Sequence, residues 1–537
     1  MKRRIIILLL FFAVLLSTAQ ERAHFSLFTD RDLYISGENI LVKVFAPTDE
    51  QSGIVNIDLI NTRGKIIAGI SKKIIDHQAD GFIDLPDSIS SGCYLICTST
   101  KSNPDLTVKE LYICNQFSGL PESDIGLRSA ETNLFIEKSA NSVQIDGLNE
   151  AYKTREKANF TFHLPSEFIA QISGNLFVSV AGFVPGFSSG TFFRRMNPMK
   201  SRIVEKEGVI LEGSIKDVKT GKPFKNGIVF LSIPDSIPRF NYCITGEDGN
   251  FNFQLDNYYG KIPVVVQGFD REEKRLLKIV LNRRDSLKSA LPAFKTWTIS
   301  PEFRRSAKDN SDAEIFCKVF NYQELTIAPI PLYKTDGYPF YGAPSEVIDP
   351  QLFVDLPNFT EIARELLQGI KFRAYNRIPS LHVFNPAIFN YFPDQPLVLI
   401  DGIPVRDLRV IKDMGSKEID RIEICHNKRF YGNLNFSGVV AIYTLKPDYA
   451  RIAESDDLIK LNINTIQPDV TLNGPFRQRL NEMDLRKVLL WMPSLKPGQT
   501  IRLDFETSDI RGFYRLNLHG KTKDGSDFYK EQIFEVK

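Results

Sequence analysis

Net charge, paired cysteines, clustered histidines and long apolar runs are all scarce in this sequence, and each scarcity excludes something. Lys and Arg number 67 against 65 Asp and Glu. No charge excess therefore draws the chain to phosphate backbones or acidic lipid, and nucleic acid is not an expected partner. Past residue 20 the longest apolar runs, such as Ile262-Pro263-Val264-Val265-Val266, have the length of a strand and fall short of the roughly 20 residues of a membrane-spanning helix. The six cysteines, Cys93, Cys97, Cys114, Cys243, Cys317 and Cys425, contain no Cys-x-x-Cys pair, the spacing of zinc ribbons and dithiol redox sites. Cys93 and Cys97 lie four apart in a strand-like segment, which sets their Cα atoms about 13 Å apart, too far for a disulfide. Cys114 pairs with either only if its strand is adjacent. Free, buried thiols are the simpler expectation, and no essential disulfide is predicted.

The six histidines, His24, His77, His163, His382, His426 and His519, stand singly in different segments, which suits structural polar residues better than metal ligands. A Gly-x-Ser-x-Gly elbow, a His-Glu-x-x-His helix and a phosphate-cradling Gly-x-x-x-x-Gly-Lys loop are all missing. The expectation is a protein with no catalytic residue, no metal and no cofactor, that is, not an enzyme.

What is present begins with Lys2, Arg3 and Arg4, an apolar run over 5–16, and the small residues Ser17-Thr18-Ala19. Residues 1–19 read as a secretory signal peptide, since the run is shorter than a membrane span and polar Gln20, Glu21 and Arg22 follow at once. The mature chain is expected to begin near Gln20 and to be periplasmic or cell-surface, held at the outer membrane only through a partner. Its length of about 517 residues implies three to five domains.

Forty Phe and eighteen Tyr suit pleated, half-buried surfaces. Short alternating segments, such as Ile40-Leu41-Val42-Lys43-Val44, Val55-Asn56-Ile57-Asp58-Leu59 and Tyr94-Leu95-Ile96-Cys97, predict a β-sandwich over 20–117. Ala158 to His163 and Leu176 to Val180 predict a second module with its linker over 118–205. Residues 206–285 contain the hairpin signal Asp248-Gly249 between apolar alternations and predict a third sandwich. Residues 286–349, with scattered Arg, Lys and Pro, read as an extended connector with some strand. Phe359 to Leu367 carries apolar residues at helical spacing, with Thr360 as the expected cap. The fold class is mainly β, tandem Ig-like sandwiches plus one small α/β domain over 350–448, with a terminal sandwich over 449–537.

Four stretches also resemble known families. Asp30-Arg31-Asp32-Leu33-Tyr34-Ile35-Ser36-Gly37-Glu38 is similar to the start of the macroglobulin-type MG2 domain; Gly37 serves a tight turn, and Tyr34 is expected to bury its ring while its hydroxyl stays wet. Gly213-Ser214-Ile215, Gly221-Lys222-Pro223 and Asp248-Gly249-Asn250-Phe251 resemble the carboxypeptidase regulatory-like sandwich. Pro396-Leu397-Val398-Leu399-Ile400-Asp401-Gly402-Ile403-Pro404, Ile419-Asp420-Arg421-Ile422-Glu423-Ile424, Tyr431-Gly432 and Gly438-Val439-Val440-Ala441-Ile442-Tyr443-Thr444 resemble the plug domain of TonB-dependent outer-membrane receptors, in the Bacteroidota form. Trp491-Met492-Pro493 and Phe505-Glu506-Thr507-Ser508-Asp509 look like the sandwich that closes Bacteroidota proteins combining MG2 and plug domains. A receptor continues past its plug into a barrel of about 22 strands, whereas ninety-one residues follow Lys446 in this 537-residue chain. The plug-like unit is therefore expected not to gate a barrel of its own. The macroglobulin thioester is also missing, because Gly92-Cys93-Tyr94 lacks the required glutamine.

These resemblances imply an accessory protein that binds an outer-membrane β-barrel complex, of the transport, secretion or barrel-assembly kind. The alternative is a non-covalent macroglobulin-like protein that binds proteases or peptides through an open segment within 286–345. Partner-binding candidates are the connector aromatics Trp297, Tyr333, Tyr338, Phe340 and Tyr341, since large rings outside regular strands are enriched at contacts, although they equally suit a domain seam. Lys428, Arg429 and Tyr431 form a candidate cation-and-aromatic patch, with a solvated turn as the plain alternative. Asp401 is expected to bracket its own turn rather than to work with Glu423 in acid–base chemistry.

Overall fold

Period-two alternation organises most of the chain in the computed structural model. It describes residues 24–537 apart from 104, 122–124, 131–137, 188, 196–203, 235–236, 271–274, 283–286, 289–290, 321–324, 330–336, 376–377, 447–450 and 474–482. The signal-peptide segment and Tyr333 lie outside the described residues. The chain divides into two units, one of 1–207, 284–329 and 466–537 and the other of 208–283 and 330–465.

In the first unit, strands Ser26–Thr29, Asn39–Phe45 and Gln78–Asp84 form one sheet. It packs on a second sheet ordered Thr191–Arg194, Leu106–Cys114, Gly92–Ser99, Ile54–Asn61 and Ile66–Lys73, with Leu33–Ile35 pairing in parallel to Leu106–Cys114. Both sheets contribute to one core that includes Tyr34, Val42, Val44, Ile57, Ile96 and Ile113, as a sandwich requires.

A second sandwich joins segments far apart in sequence. One of its sheets runs Lys138–Ser139, Asp527–Val536, Gly512–Thr522, Ile172–Phe183 and Val488–Leu495; the facing sheet is Gln144–Asp146, Lys157–His163 and Thr500–Glu506. Phe160, Phe162, Val178 and Val180 share a core with Leu516, Leu518 and Phe534. Residues 138–183 and 488–536, from segments expected as two modules (118–205 and 449–537), thus build one sandwich, while Thr191–Arg194 joins the first sandwich and Leu458–Asn464 the second unit. Alternation such as the e-B-e-B burial along Lys157–His163 states that a face is buried, not which strand covers it.

The expected connector is also more ordered than an extended chain. Strand Phe294–Thr298 pairs with Ile125–Ser129, and helix Pro301–Val319 follows, the longest helix among the described residues. Ser300 caps it by accepting the Phe303 N–H, Pro301 stands where its missing N–H costs nothing, and Phe303, Ala307 and Ala313 are buried.

In the second unit, strands Asn250–Asp256, Gly208–Asp217 and Leu277–Leu281 face strands Arg239–Ile244, Ile228–Ile233, Lys261–Phe269 and Leu458–Asn464 over a core of Ile215, Val229, Phe251, Phe253, Val264 and Val266. The Asp248-Gly249 turn does not close a hairpin: Arg239–Ile244 and Asn250–Asp256 lie in different sheets, and the turn crosses between them. Gly249, at φ 66°, bonds through its carbonyl to the Ile215 N–H, and a Cβ there would stand 2.5 Å from the Ile215 carbonyl oxygen, which explains the glycine.

The α/β domain has a sheet ordered Glu346–Ile348, Ile419–Cys425, Val439–Thr444, Leu397–Ile400 and Ile403–Pro404, with Leu397–Ile400 parallel to Val439–Thr444. Helix Phe359–Glu365 packs Phe359 and Ile362 into its core beside Ile400, Ile422 and Ile442. Its cap is Asn358, which accepts the Glu361 N–H at 3.0 Å, and not Thr360, because the first helical residue is already Phe359. Among the described residues no helix is long and apolar enough to cross a membrane.

Candidate protein-binding surfaces

The macroglobulin-like motif is an interior charge network. The Tyr34 hydroxyl donates to Asp30 at 2.7 Å and accepts the Arg31 N–H at 3.0 Å. Arg31 Nε donates to Asp30 at 2.8 Å, and its guanidinium lies 3.2 Å from Glu38. Tyr34 is fully buried, so its hydroxyl is not wet as expected; Asp30 and Arg31 replace the water. Lys487 completes the network with ion pairs to Glu38 and, at 3.1 Å, to Glu314 of helix Pro301–Val319.

Burial works against every charge here, and partners decide the outcome. Burial pushes the Asp30 carboxyl up, with Arg31 opposing only in part. For Glu38, burial is outweighed by Arg31 and Lys487, which hold its carboxyl below the usual range. Burial would lower Lys487, but Glu38 and Glu314 raise it above the ordinary lysine value. An ammonium so held is neither a nucleophile nor a base. Glu38, Glu314 and Lys487 sit in the wall of a cleft of about 570 Å³ that Asp84, Phe82 and Ile327 also line.

The aromatic candidates of the second unit separate into inward and outward sets. Phe340 stacks on Phe240 with centroids 4.2 Å apart and meets Tyr431 at 5.2 Å. The Tyr431 hydroxyl donates to the Phe240 carbonyl at 2.9 Å, and Tyr242 packs against the same ring. Gly432 (φ 55°) lets the chain pass the Tyr242 hydroxyl, which accepts the Asn433 N–H at 2.7 Å; a Cβ at 432 would collide with that oxygen. Tyr341 is buried, donating to Glu423 at 2.6 Å and touching the Tyr443 hydroxyl at 2.8 Å. Arg429 donates to the Ala343 carbonyl at 2.5 Å. Phe340, Tyr341, Arg429 and Tyr431 are therefore packing residues of this unit rather than free contact groups. Tyr338 at 71 % exposure and Lys428, near the 71 %-exposed Phe430, do face outward.

Trp297 is likewise engaged. Its ring meets Tyr112 at 5.8 Å, Phe187 at 5.2 Å and Phe303 at 5.0 Å, and Arg128 lies over it. It seals strand Phe294–Thr298 and helix Pro301–Val319 onto the first sandwich.

No protein-family model and no curated protein matches the chain. Solved structures do. A Salmonella α2-macroglobulin reacted with methylamine is 8 % identical at a TM-score of 0.22, covering 95 % of this chain and 39 % of that one. A trypsin-activated α2-macroglobulin of Escherichia coli is 9 % identical at 0.23, covering 97 % and 42 %. The adhesin InvE of Yersinia pseudotuberculosis is 9 % identical at 0.14, covering 48 % and 58 %. The chain spans about two fifths of the length of these macroglobulins. Its function is argued from its own residues.

Among the described residues no three His, Cys, Asp or Glu side chains are grouped to hold a metal. Burial pushes the thiols of Cys93, Cys114 and Cys425 upward, away from the reactive thiolate. Asp401, at φ 48°, does not bracket its own turn: its carboxylate accepts the Thr444 N–H at 2.8 Å and the Thr444 hydroxyl at 2.7 Å. Glu423 is instead bound to Tyr341 and Arg421, so the two carboxylates serve separate contacts.

The sequence reading overlooked one outward feature. Leu352, Phe353 and Val354 are consecutive and 79 %, 54 % and 78 % exposed, following the short 3-10 turn Pro350–Leu352. Three adjacent apolar residues with no periodicity were the available signal, since such runs in water are unfavourable unless something covers them.

Proposed function

We propose that this chain is a non-enzymatic, exported protein that binds an outer-membrane β-barrel complex of transport, secretion or barrel-assembly type in a Bacteroidota envelope. The supporting observation is that the plug-like segment 350–448, whose core also takes in Val265 and Leu458 of the same unit, still turns Leu352, Phe353, Val354 and Phe430 to the outside, as the preceding connector does Tyr338. Apolar side chains gain by leaving water, and here nothing in the domain's own packing consumes them. Arg31, Glu38, Glu314 and Lys487 of the first unit, by contrast, are held in buried ion pairs, which supports a scaffold over a reaction centre.

The macroglobulin-like alternative needs an open segment within 286–345. Helix Pro301–Val319 takes 19 residues of that stretch and buries Phe303 and Ala307, which favours docking.

The test is a mild-detergent pull-down of the tagged protein from envelopes. An outer-membrane β-barrel protein should co-purify and be lost on substituting Phe353 and Val354 by Asp. Recovery of the unpartnered protein from the soluble periplasmic fraction would overturn the proposal, as would turnover of a substrate abolished by one substitution.

A further inference from the structure

A second surface, in the first unit, has the parts of a strand-docking groove. Among the described residues strand Ile125–Ser129 pairs with a single strand, Phe294–Thr298, while on its other side the Ser129 N–H bonds the Glu110 carboxylate. Its register tells which residues point each way. The Ala130 N–H goes to Ala293, toward the paired side, whereas the Ser129 N–H goes to the Glu110 carboxylate, away from it. Backbone groups alternate along a strand, so those of Leu127 and Ile125 point with Ser129 toward the unpaired edge.

That edge borders a groove of about 480 Å³. Ile125, Gly126 and Leu127 line it, and no residue of Phe294–Thr298 does, so the groove runs along the open side. Ile125 and Leu127 are 60 % and 47 % exposed. The opposite wall is formed at Asn61-Thr62-Arg63 and Ser90 to Tyr94. Of the lining residues Arg63 is the one with a full charge, no Asp or Glu is among them, and Arg63 pairs with no carboxylate among the described residues.

We infer that this groove takes an extended segment of a partner protein as an added β-strand on Ile125–Leu127, with an acidic side chain of that segment facing Arg63. Main-chain bonds to the open edge supply affinity, side chains beside Ile125 and Leu127 supply cross-strand contact, and Arg63 selects the charge. The inference goes beyond barrel docking and does not depend on it, since it rests on other residues.

The probe is a fluorescein-labelled eight-residue peptide alternating Val and Thr with one central Asp, titrated by anisotropy into the full mature chain. Saturable binding is expected, weakened about tenfold or more when alternate peptide amides are N-methylated. Replacing the Asp by Lys should weaken binding to the native chain and strengthen it to Arg63→Glu. Leu127→Pro, which bars a regular ladder, should abolish binding. Ile125→Thr, which leaves the ladder intact, should retain it; unchanged circular dichroism shows that each variant is folded. Absence of saturable binding, indifference to N-methylation, or an unaltered charge preference in Arg63→Glu would overturn the inference. So would a doubled mass in light scattering that Leu127→Pro abolishes, because a second copy would then occupy the edge.

Discussion

Glu38 and Lys487 lie 449 positions apart in sequence and meet as a buried ion pair. The contact ties the start of the C-terminal segment 466–537 to the first sandwich within the same unit, with Glu314 of the long helix as the third member. Lys487→Met takes the cation from Glu314 and leaves Glu38 with Arg31 alone, and should cost about 3–5 kcal/mol in urea unfolding. Combining it with Glu38→Gln should recover part of that loss. Equal midpoints for native and Lys487→Met would show that the pair contributes nothing.

His519 predicts a pH dependence. It is half-buried against Phe28, with centroids 4.1 Å apart, and loss of hydration lowers its pKa to about 3. The unfolded imidazole titrates near 6.5. Above that pH neither state is protonated and stability is full. As pH falls from 6.5 toward 3, only the unfolded chain takes up the proton, and stability is lost. Between pH 7 and 5 the loss from this group should be about 2 kcal/mol. His519→Phe keeps the ring contact and should flatten that part of the profile; an identical slope in the variant would refute the assignment.

Tyr341 and Tyr338 stand three positions apart and should behave oppositely. Tyr341→Phe removes the donor to one oxygen of Glu423, leaving Arg421 on the other, and the partner of the Tyr443 hydroxyl, and should cost about 1–3 kcal/mol of thermal or urea stability. Tyr338→Ala should fall within about 0.5 kcal/mol of native and should weaken barrel co-purification instead. A destabilised Tyr338→Ala would remove Tyr338 from the binding surface.

Truncation after residue 448 tests the split sandwich. It removes Val488–Leu495 and Gly512–Thr522, the neighbours of Ile172–Phe183, Thr500–Glu506, the neighbour of Lys157–His163, and Asp527–Val536, which pairs with Gly512–Thr522. Hydrogen exchange within Ile172–Phe183 should rise to the rate of unprotected chain, because half of the core is gone. Full protection in the truncated protein would mean that 138–183 holds a sandwich by itself.

The sequence was most informative where a residue's role is local. Alternation marked the strands around Val42, Ile57 and Phe160, because a strand's two faces are written in its own side chains. Helix Phe359–Glu365 was visible in its spacing, while Ser300-Pro301-Glu302, an equally local start signal, passed unread among the charges of its connector. The candidate site was less legible. Tyr341 and Tyr431 look like surface aromatics until Glu423, Tyr443 and Phe240 are brought beside them, and Tyr34 seems to need water until Asp30 supplies the bond.

By itself the sequence determined a mainly β chain with several cores and no gathering of reactive motifs, because composition, period and spacing are local quantities. Only the tertiary structure decided that 138–183 and 488–536 share one sandwich, that Lys487 completes the network begun at Asp30, and which rings face out. Those outcomes depend on pairings between remote segments, and an apolar strand face or a buried carboxylate specifies that it needs a partner without naming which one.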